Sequence, residues 1–308
     1  MNSDVRRGQT AVVVVNYRSH RLIQDNLRPL VLGDEFRVVI IDNRSTQEEA
    51  VAVRSLAAAA GWDAIALDTN GGFASGVNAG LQHAFAAGCT SVVLLNPDVV
   101  ITEATLAALR HHVTANPTDV VSPVVRTPAR VGRGFSLLDL HHGAVRAEAA
   151  TRLRYGDSAR IERWLPATCL AAHRDLLTNA GGLADAYFMY WEDIDLCRRC
   201  ALAGATLVLR DDLEVYHDEL GTQNRATPAA KSALYYRYNC RNRLLFAARN
   251  LARRDVLRWM LWTPAVSWRI LMQGGRRQLI ASPRLLWAAI RGSFEGLTIA
   301  TRALADRR

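Results

Sequence analysis

Asp98 closes the stretch Ser91-Val92-Val93-Leu94-Leu95-Asn96-Pro97-Asp98. Val92 to Leu95 have the continuous apolar character of a strand buried on both faces of a parallel sheet, and Pro97 cannot continue a hydrogen-bonded ladder. The strand should therefore deliver Asp98 at its carboxyl end, where open α/β sheets bind ligands. A carboxylate there suits a hard divalent cation that also touches substrate phosphates. An ordinary turn after a strand uses the same tripeptide, so this spelling alone does not decide. A second group of acids lies in Tyr187-Phe188-Met189-Tyr190-Trp191-Glu192-Asp193-Ile194-Asp195, where an aromatic run meets three acids at a helix start. Acids in a first turn complement the helix dipole, and Asp195 fits that role. A carboxylate held near apolar walls is also able to take a proton, which Glu192, Asp193 or Asp195 could supply.

Other polar residues sit at the ends of apolar runs. Ala11 to Val15 ends in Asn16-Tyr17, and Arg37 to Ile41 delivers Asp42. The segment from Asn70 through Gly71, Gly72, Phe73 and Asn78 to Gly80 is glycine-rich and runs into a helix over Leu81 to Ala87. Such a turn can hold phosphate, although the dinucleotide fingerprint is absent. His217 ends a short apolar run and, taken alone, reads as structural. His141-His142 reads as a solvated pair, because adjacent side chains point apart on regular elements. The five cysteines, at positions 89, 169, 197, 200 and 240, read as reduced thiols. Cys197 and Cys200 form a C-x-x-C inside a helical pattern, with no second pair to complete a zinc site.

Positioning these groups requires a large α/β framework. The 308 residues are half hydrophobic and 22% charged, enough for a sizeable core and unlike a disordered chain. Strand and helix alternate from Ala11, with strands at 37–41, 64–67, 92–95 and 119–125, the pattern of a doubly wound, mostly parallel sheet. Ser19 and Thr102 are placed to cap helices. Residues 126–163 show no firm period and read as a long loop or insertion over the site. Strands follow at 166–172, 205–210 and 213–216, with helices over Arg174–Asn179 and from Glu192 on, where Arg198 and Arg199 can face outward. From Lys231 the pattern is helical, at 231–254, 255–273 with Pro264 as an interruption, and 283–305. This tail carries 16 Lys/Arg against three acids, a balance of +13 in a chain of net charge +9, so residues 1–230 carry −4. Charge alone gives the tail an anionic partner, whether membrane lipid, phosphorylated acceptor or nucleic acid. Arg6 and Arg7 lead into no signal-peptide pattern, and the longest apolar run of the tail, Trp259 to Trp268, is too short to span a bilayer.

Taken in order, Val12-Val13-Val14-Val15-Asn16-Tyr17, Ile40-Ile41-Asp42-Asn43-Arg44-Ser45, Asn70-Gly71-Gly72-Phe73 to Gly80, Leu94-Leu95-Asn96-Pro97-Asp98 and Phe188 to Arg199, with His217 after them, resemble the family 2 inverting glycosyltransferases of the GT-A fold. The likeness covers roughly residues 10–245 and is nearest to the bacterial rhamnosyltransferase-like branch, whose members often end in a basic helical tail. It implies a Rossmann-like GT-A domain over 1–230, with a donor half at about 10–125 and an acceptor and catalytic half at about 126–230. Residues 231–308 would form a basic amphipathic extension.

The resemblance also implies roles. Asp42 would accept from the pyrimidine of a nucleotide sugar, with Asn16 and Tyr17 near the base. Asn70, Gly72, Phe73 and Asn78 would line the donor pocket. Asp98, with Asn96 in place of a further Asp, and His217 would hold Mg²⁺ or Mn²⁺, and Asp193 would be the catalytic base. The donor would be a dTDP- or UDP-sugar, a deoxysugar such as rhamnose first, and the acceptor a glycan or lipid-linked hydroxyl. The tail would attach a cytoplasmic enzyme to the anionic inner face of the plasma membrane, with no nucleic acid partner and homo-oligomers allowed. Arg44 stands where the family commonly has a small residue, and Leu183-Ala184-Asp185 replaces the usual Phe-Asp-Glu, a departure that bears on the acceptor side. Two alternatives stay open: a non-catalytic nucleotide-sugar-binding or membrane-associated scaffold of the same fold, and a nucleotidyltransferase. The latter needs a basic loop near the first strand, for which Arg18 and Arg21 are weak candidates.

Overall fold

The computed structural model describes residues 8–128, 130–131, 135–147, 160–218, 231–275, 278 and 282–307. β-branched runs form the central strands: β1 (Thr10–Asn16), β2 (Phe36–Asp42), β3 (Asp63–Ala66) and β4 (Ser91–Leu95). With β5 (Val99–Val100), β6 (Asp119–Thr127), β7 (Arg130–Val131), β11 (Cys169–His173) and β12 (Thr206–His217) they make a nine-stranded sheet, in the order β3-β2-β1-β4-β11-β6-β12-β5, with β7 on β6. Pairing among β3, β2, β1 and β4 is parallel, as is β6 with β12, while β11 lies antiparallel between β4 and β6. Each face of the sheet has its own core. One carries Val13, Ile41, Val92 and Leu170 against α3 (Gly72–Ala86) and its neighbours. The other carries Val12, Ile40, Val93 and Val121 against α1 (His20–Asn26), α2 (Gln47–Ala60) and α4 (Glu103–Ala115). Carboxyl ends of parallel strands thus gather Asn16, Asp42 and Asn96 on one rim.

Several expectations are corrected. The glycine-rich segment is itself helical, because α3 starts at Gly72 rather than Leu81. Ser19 does not cap α1; its N–H and hydroxyl both donate to Asn16 Oδ1. Thr102 does cap α4, accepting from the Thr105 N–H. The two strands expected near 205–216 are one, β12, with a register shift between Arg210 and Glu214. Residues 126–163 contain a three-stranded antiparallel sheet, β10 (Ile161–Trp164), β8 (Ser136–Asp139) and β9 (Ala144–Ala147), where a loop was expected. Residues 148–159 of that insertion, and Arg6 and Arg7, lie outside the described residues. His142 is buried beside Asp139 and Trp262, not solvated, and burial lowers its pKa. Arg198 and Arg199 turn inward, the first onto Glu162, the second onto Asp195 and the carbonyls of Ala180 and Gly182. All five cysteines are buried free thiols; burial pushes Cys169 up to about 12 and Cys200 to about 11, so neither is a ready nucleophile.

Beyond α5 (Arg174–Asn179) and α6 (Glu192–Leu202), the tail forms α7 (Ala233–Asn250), α8 (Arg253–Leu261), α9 (Thr263–Met272) and α10 (Pro283–Asp306). Pro264 sits in the first turn of α9, where its missing N–H costs nothing. Leu244, Phe246, Ala247 and Trp259 of the tail share one core with Leu138, Tyr187, Trp191 and Ile194. Arg243, fully buried, ties α7 to the small sheet by donating to His142 O, and to α8 by donating to Trp259 O. Glycines 292 and 296 let α10 lie against the α7 backbone; a Cβ at Gly292 would collide with the Arg237 carbonyl. Among the described residues no helix is long and apolar enough to cross a membrane.

Candidate active site

Asp98 is 2% exposed, just past β4. The antiparallel pairing of β12 with β5 sets His217 opposite Val99, which brings His217 Nε2 to 3.1 Å from Asp98 Oδ1. The Asp218 N–H donates to the Asp98 carbonyl and fixes the two ends together. One carboxylate oxygen and one imidazole nitrogen at that separation fit neighbouring ligands of a divalent ion. No group of three or more ligating side chains occurs among the described residues. That donor set suits an ion completed by a diphosphate and water, the usual manner of Mg²⁺ at phosphate sites. Asn96 is half-buried beside it, its N–H donating to Thr168 O.

On the donor side, Asn16 and Asp42 are register partners at the ends of β1 and β2. Asn16 is fully buried: Nδ2 donates to Asp42 Oδ1 at 2.9 Å and Oδ1 receives Ser19. Its amide therefore orients Asp42. Among the described residues, Asp42 Oδ2 accepts only from the Ser45 N–H, at 3.4 Å. Tyr17 is exposed beside the pair. Asn70 Oδ1 accepts from the Gly72 N–H at the mouth of α3. Gly72 has φ 87° and a Cβ there would strike the Phe188 carbonyl, which instead accepts from Phe73 N–H. Phe73 packs into the core beneath. Asn78 is not free for a ligand: Nδ2 donates to Leu183 O and Asp185 Oδ1, and Oδ1 accepts from Leu183 N–H. It braces the Leu183-Ala184-Asp185 turn.

The third cluster is built on a strained turn. Tyr190 and Trp191 have φ of 67° and 78°, left-handed values that bulky residues adopt only under constraint. Asn242 of α7, wholly buried, supplies the constraint: its Nδ2 donates to the carbonyls of Met189 and Tyr190, both at 2.9 Å. Trp191 donates from Nε1 to Asn239 Oδ1 and packs against Phe246 and Trp259. The turn opens directly into α6, with Glu192 and Asp193 in its first turn. Glu192 is buried, its Oε2 has no partner among the described residues, and burial followed by the neighbouring Asp193 charge raises its pKa well above the ordinary value. Asp193 is half-buried and accepts from the N–H groups of Ile194 and Ala167, yet burial outweighs them and pushes its pKa up to about 6. A carboxylate of that pKa is charged at pH 7 and basic enough to accept a proton. Asp195, fully buried in the same first turn, is held by the side chains of Tyr187, Arg199 and Asn250.

Two short links join the clusters. Ala167 donates to Asp193, and its neighbour Thr168 accepts from Asn96, so the base candidate and the metal side meet across consecutive residues. Phe188 joins the glycine-rich end of α3 to the strained turn. Asn239, Asn242 and Asn250 were not singled out in the sequence. An asparagine inside a helix is a weak former with a side chain able to reach a distant carbonyl, and that is the only signal they carry.

A family model described as glycosyl transferase family 2 matches residues 11–179, more than half of the chain. The chain belongs to glycosyl transferase family 2. It is a glycosyltransferase, which leaves the nucleotidyltransferase alternative without support. Over 84 residues it is 34% identical to an N-acetylglucosaminyl-diphospho-decaprenol L-rhamnosyltransferase of Mycobacterium tuberculosis, a match spanning 27% of this chain and only 27% of that relative's length. Among solved structures it resembles the mannosyltransferase PcManGT from Pyrobaculum calidifontis, in complex with GDP-Man and Mn²⁺, at a TM-score of 0.57 and 18% identity, over 100% of this chain and 90% of that one. It also resembles S. aureus TarS 1-349 in complex with UDP-GlcNAc, at a TM-score of 0.53 and 15% identity, over 95% and 90%. At those identities the likeness is one of fold, and the fold of this glycosyltransferase is GT-A.

Proposed function

We propose that this family 2 enzyme transfers a sugar from a nucleoside-diphosphate sugar to an acceptor hydroxyl in one inverting displacement, with Asp193 as the base. The supporting observation is the pairing of a raised-pKa Asp193 with the Asp98–His217 end across Ala167-Thr168. Asp193 takes the hydroxyl proton as the acceptor oxygen bonds to the anomeric carbon. The bond from that carbon to the diphosphate oxygen breaks, and the nucleoside diphosphate leaves with the electron pair. Asp42, oriented by Asn16, holds the nucleobase. Asp98 and His217 would hold Mg²⁺ or Mn²⁺, which, when bound, offsets charge on the departing diphosphate. A mechanism with one base and no second nucleophile gives inversion.

The donor is proposed as a dTDP- or UDP-sugar, with rhamnose first, and the acceptor as a glycan, glycolipid or polyprenyl-diphosphate-linked hydroxyl. The named activity of the mycobacterial relative supports both, and the Mn²⁺ of the mannosyltransferase complex supports the metal. The donor half is assigned to about 10–125, the acceptor half to 126–230, and the extension to 231–308, a cytoplasmic enzyme resting on the inner membrane face. Arginines contribute ~1 kcal/mol each near anionic lipid, so a few facing one way suffice for reversible binding. Incubation with a panel of dTDP-, UDP- and GDP-sugars and a short lipid-diphosphate sugar acceptor tests the reaction, with the anomeric configuration of the product read by NMR. A retained configuration refutes the single displacement. Co-flotation with anionic but not neutral vesicles at low salt tests the membrane assignment, and equal or absent flotation refutes it.

A further inference from the structure

Helices α8, α9 and α10 leave an open groove of about 480 Å³ between them. Leu261, Pro264 and Trp268 line one side, Ile290, Phe294 and Leu297 the other. Hydroxyls of Ser267 and Ser293, 2.9 Å apart, join the two sides. Spacings of four and three residues put Ile290, Phe294 and Leu297 on one face of α10, while Leu261 at the end of α8 joins Pro264 and Trp268 of α9 on the other side. These side chains do not hide: Leu261 is 82% exposed, Trp268 57% and Phe294 68%, with Trp287 at 68% on the same helix as Phe294. Soluble monomers seldom show so contiguous an apolar surface without a partner for it.

Charge distinguishes the partners. Arg253, Arg254, Arg284 and Arg302 are exposed on the same helices. Of the few acids nearby, Asp255 is buried among Arg160, Arg254 and Arg258, and Glu295 is bridged to Arg237 and Arg291. A second copy seated here would set one arginine-rich surface against another, with those acids already committed, and like charges facing each other oppose association. An anionic lipid matches both features, since its chain suits the apolar channel and its headgroup suits the arginines. Exposed tryptophans beside arginines are also what a helix lying in a membrane interface presents.

We propose that the groove between α9 and α10 receives an aliphatic chain of an anionic membrane phospholipid, with exposed arginines of α8 and α10 on its phosphate. This rests on the membrane assignment above and adds a defined seat to it. Full-length protein is mixed with phosphatidylglycerol vesicles brominated on the acyl chains, and tryptophan fluorescence and co-flotation are followed. Wild type is expected to be quenched. The double variant Trp268→Ser, Phe294→Ser is expected to lose about tenfold in vesicle partition, because interfacial binding scales with inserted apolar area. Its melting temperature and its transfer to a water-soluble acceptor should stay at wild-type values. The single variant Phe294→Ala serves if the double one folds poorly. Unquenched wild type with equal flotation of the variant would overturn the groove while leaving electrostatic attachment intact. Failure of wild type to float at all would remove the membrane assignment itself. A concentration-dependent dimer abolished by the same substitutions would reassign the groove to a second copy.

Discussion

At the scale of single residues, the proposed site divides into groups that would touch substrate and groups that would aim them. Asp193→Asn keeps the shape and removes the basicity. It should leave donor affinity near wild type and cut kcat by ~10²–10⁴, the usual reach of general-base catalysis. In the wild type, kcat/KM should fall about tenfold per pH unit below about 6, as Asp193 takes up its proton, and Asp193→Asn should lack that limb. The sign for stability is opposite. A carboxylate whose folded pKa exceeds its unfolded value binds more protons when folded, so its contribution declines as pH rises from about 4 to about 6. Asp193→Asn should therefore melt higher than wild type above pH 6 in a thermal scan. Asp98→Ala should stay folded and lose turnover, as should wild type in excess chelator. The placement of Asp42, Asp98, Asp193 and His217 near element ends was legible because each stands close to where an apolar run stops, while the roles proposed for them come from the family resemblance. Asn16 and Asn78 were legible as positions only. Which way an amide turns depends on partners such as Ser19 or Leu183, brought in by folding.

At the scale of elements, α7 joins the tail to the site. Its Asn242 pins two consecutive left-handed residues, conformations that each cost ~1–3 kcal/mol and persist only where the surroundings impose them. Asn242→Ala should release the turn that starts α6. The expected result is a kcat loss of about 10–100-fold with donor KM little changed, since small misplacements of a reacting group cost that much. Asn242→Ser, which restores one donor, should recover part of the rate. The central strands and α5 were legible from β-branched runs and from the closing Gly181-Gly182. The insertion was not, because β8, β9 and β10 are short and close on partners in sequence too degenerate to show a period. The tail helices were legible as helices, while their packing was hidden: buried and exposed tryptophans look alike in a sequence, and Trp259 is buried where Trp268 is not.

At the scale of the whole molecule, the basic extension and the catalytic body share a core. Tyr187, Trp191 and Ile194 are covered by Leu244, Phe246 and Trp259. A chain ended at residue 230 should therefore expose that surface, lose cooperative unfolding and lose activity toward soluble acceptors as well as vesicle binding. A stable, active fragment 1–230 in calorimetry and assay would show that α7 is dispensable. The uneven charge was visible from composition, yet charge does not reveal that Arg243 lies inside with its guanidinium on carbonyls. A net balance counts residues and does not place them.

The Ala167-Thr168 link carries a thermodynamic consequence. A nucleoside diphosphate drawn to the Asp98 end brings negative charge toward the Asp193 carboxylate, and a like charge raises a carboxyl pKa. Donor binding near pH 6 should then be accompanied by proton uptake from solution, and affinity should tighten as pH falls toward that value, by linkage. Calorimetric titrations of a nucleoside diphosphate in two buffers of different ionisation enthalpy should give different apparent heats at pH 6 and equal ones at pH 8. In Asp193→Asn the difference should vanish. The carboxylate proposed to take the acceptor's proton would thus register the arrival of the donor.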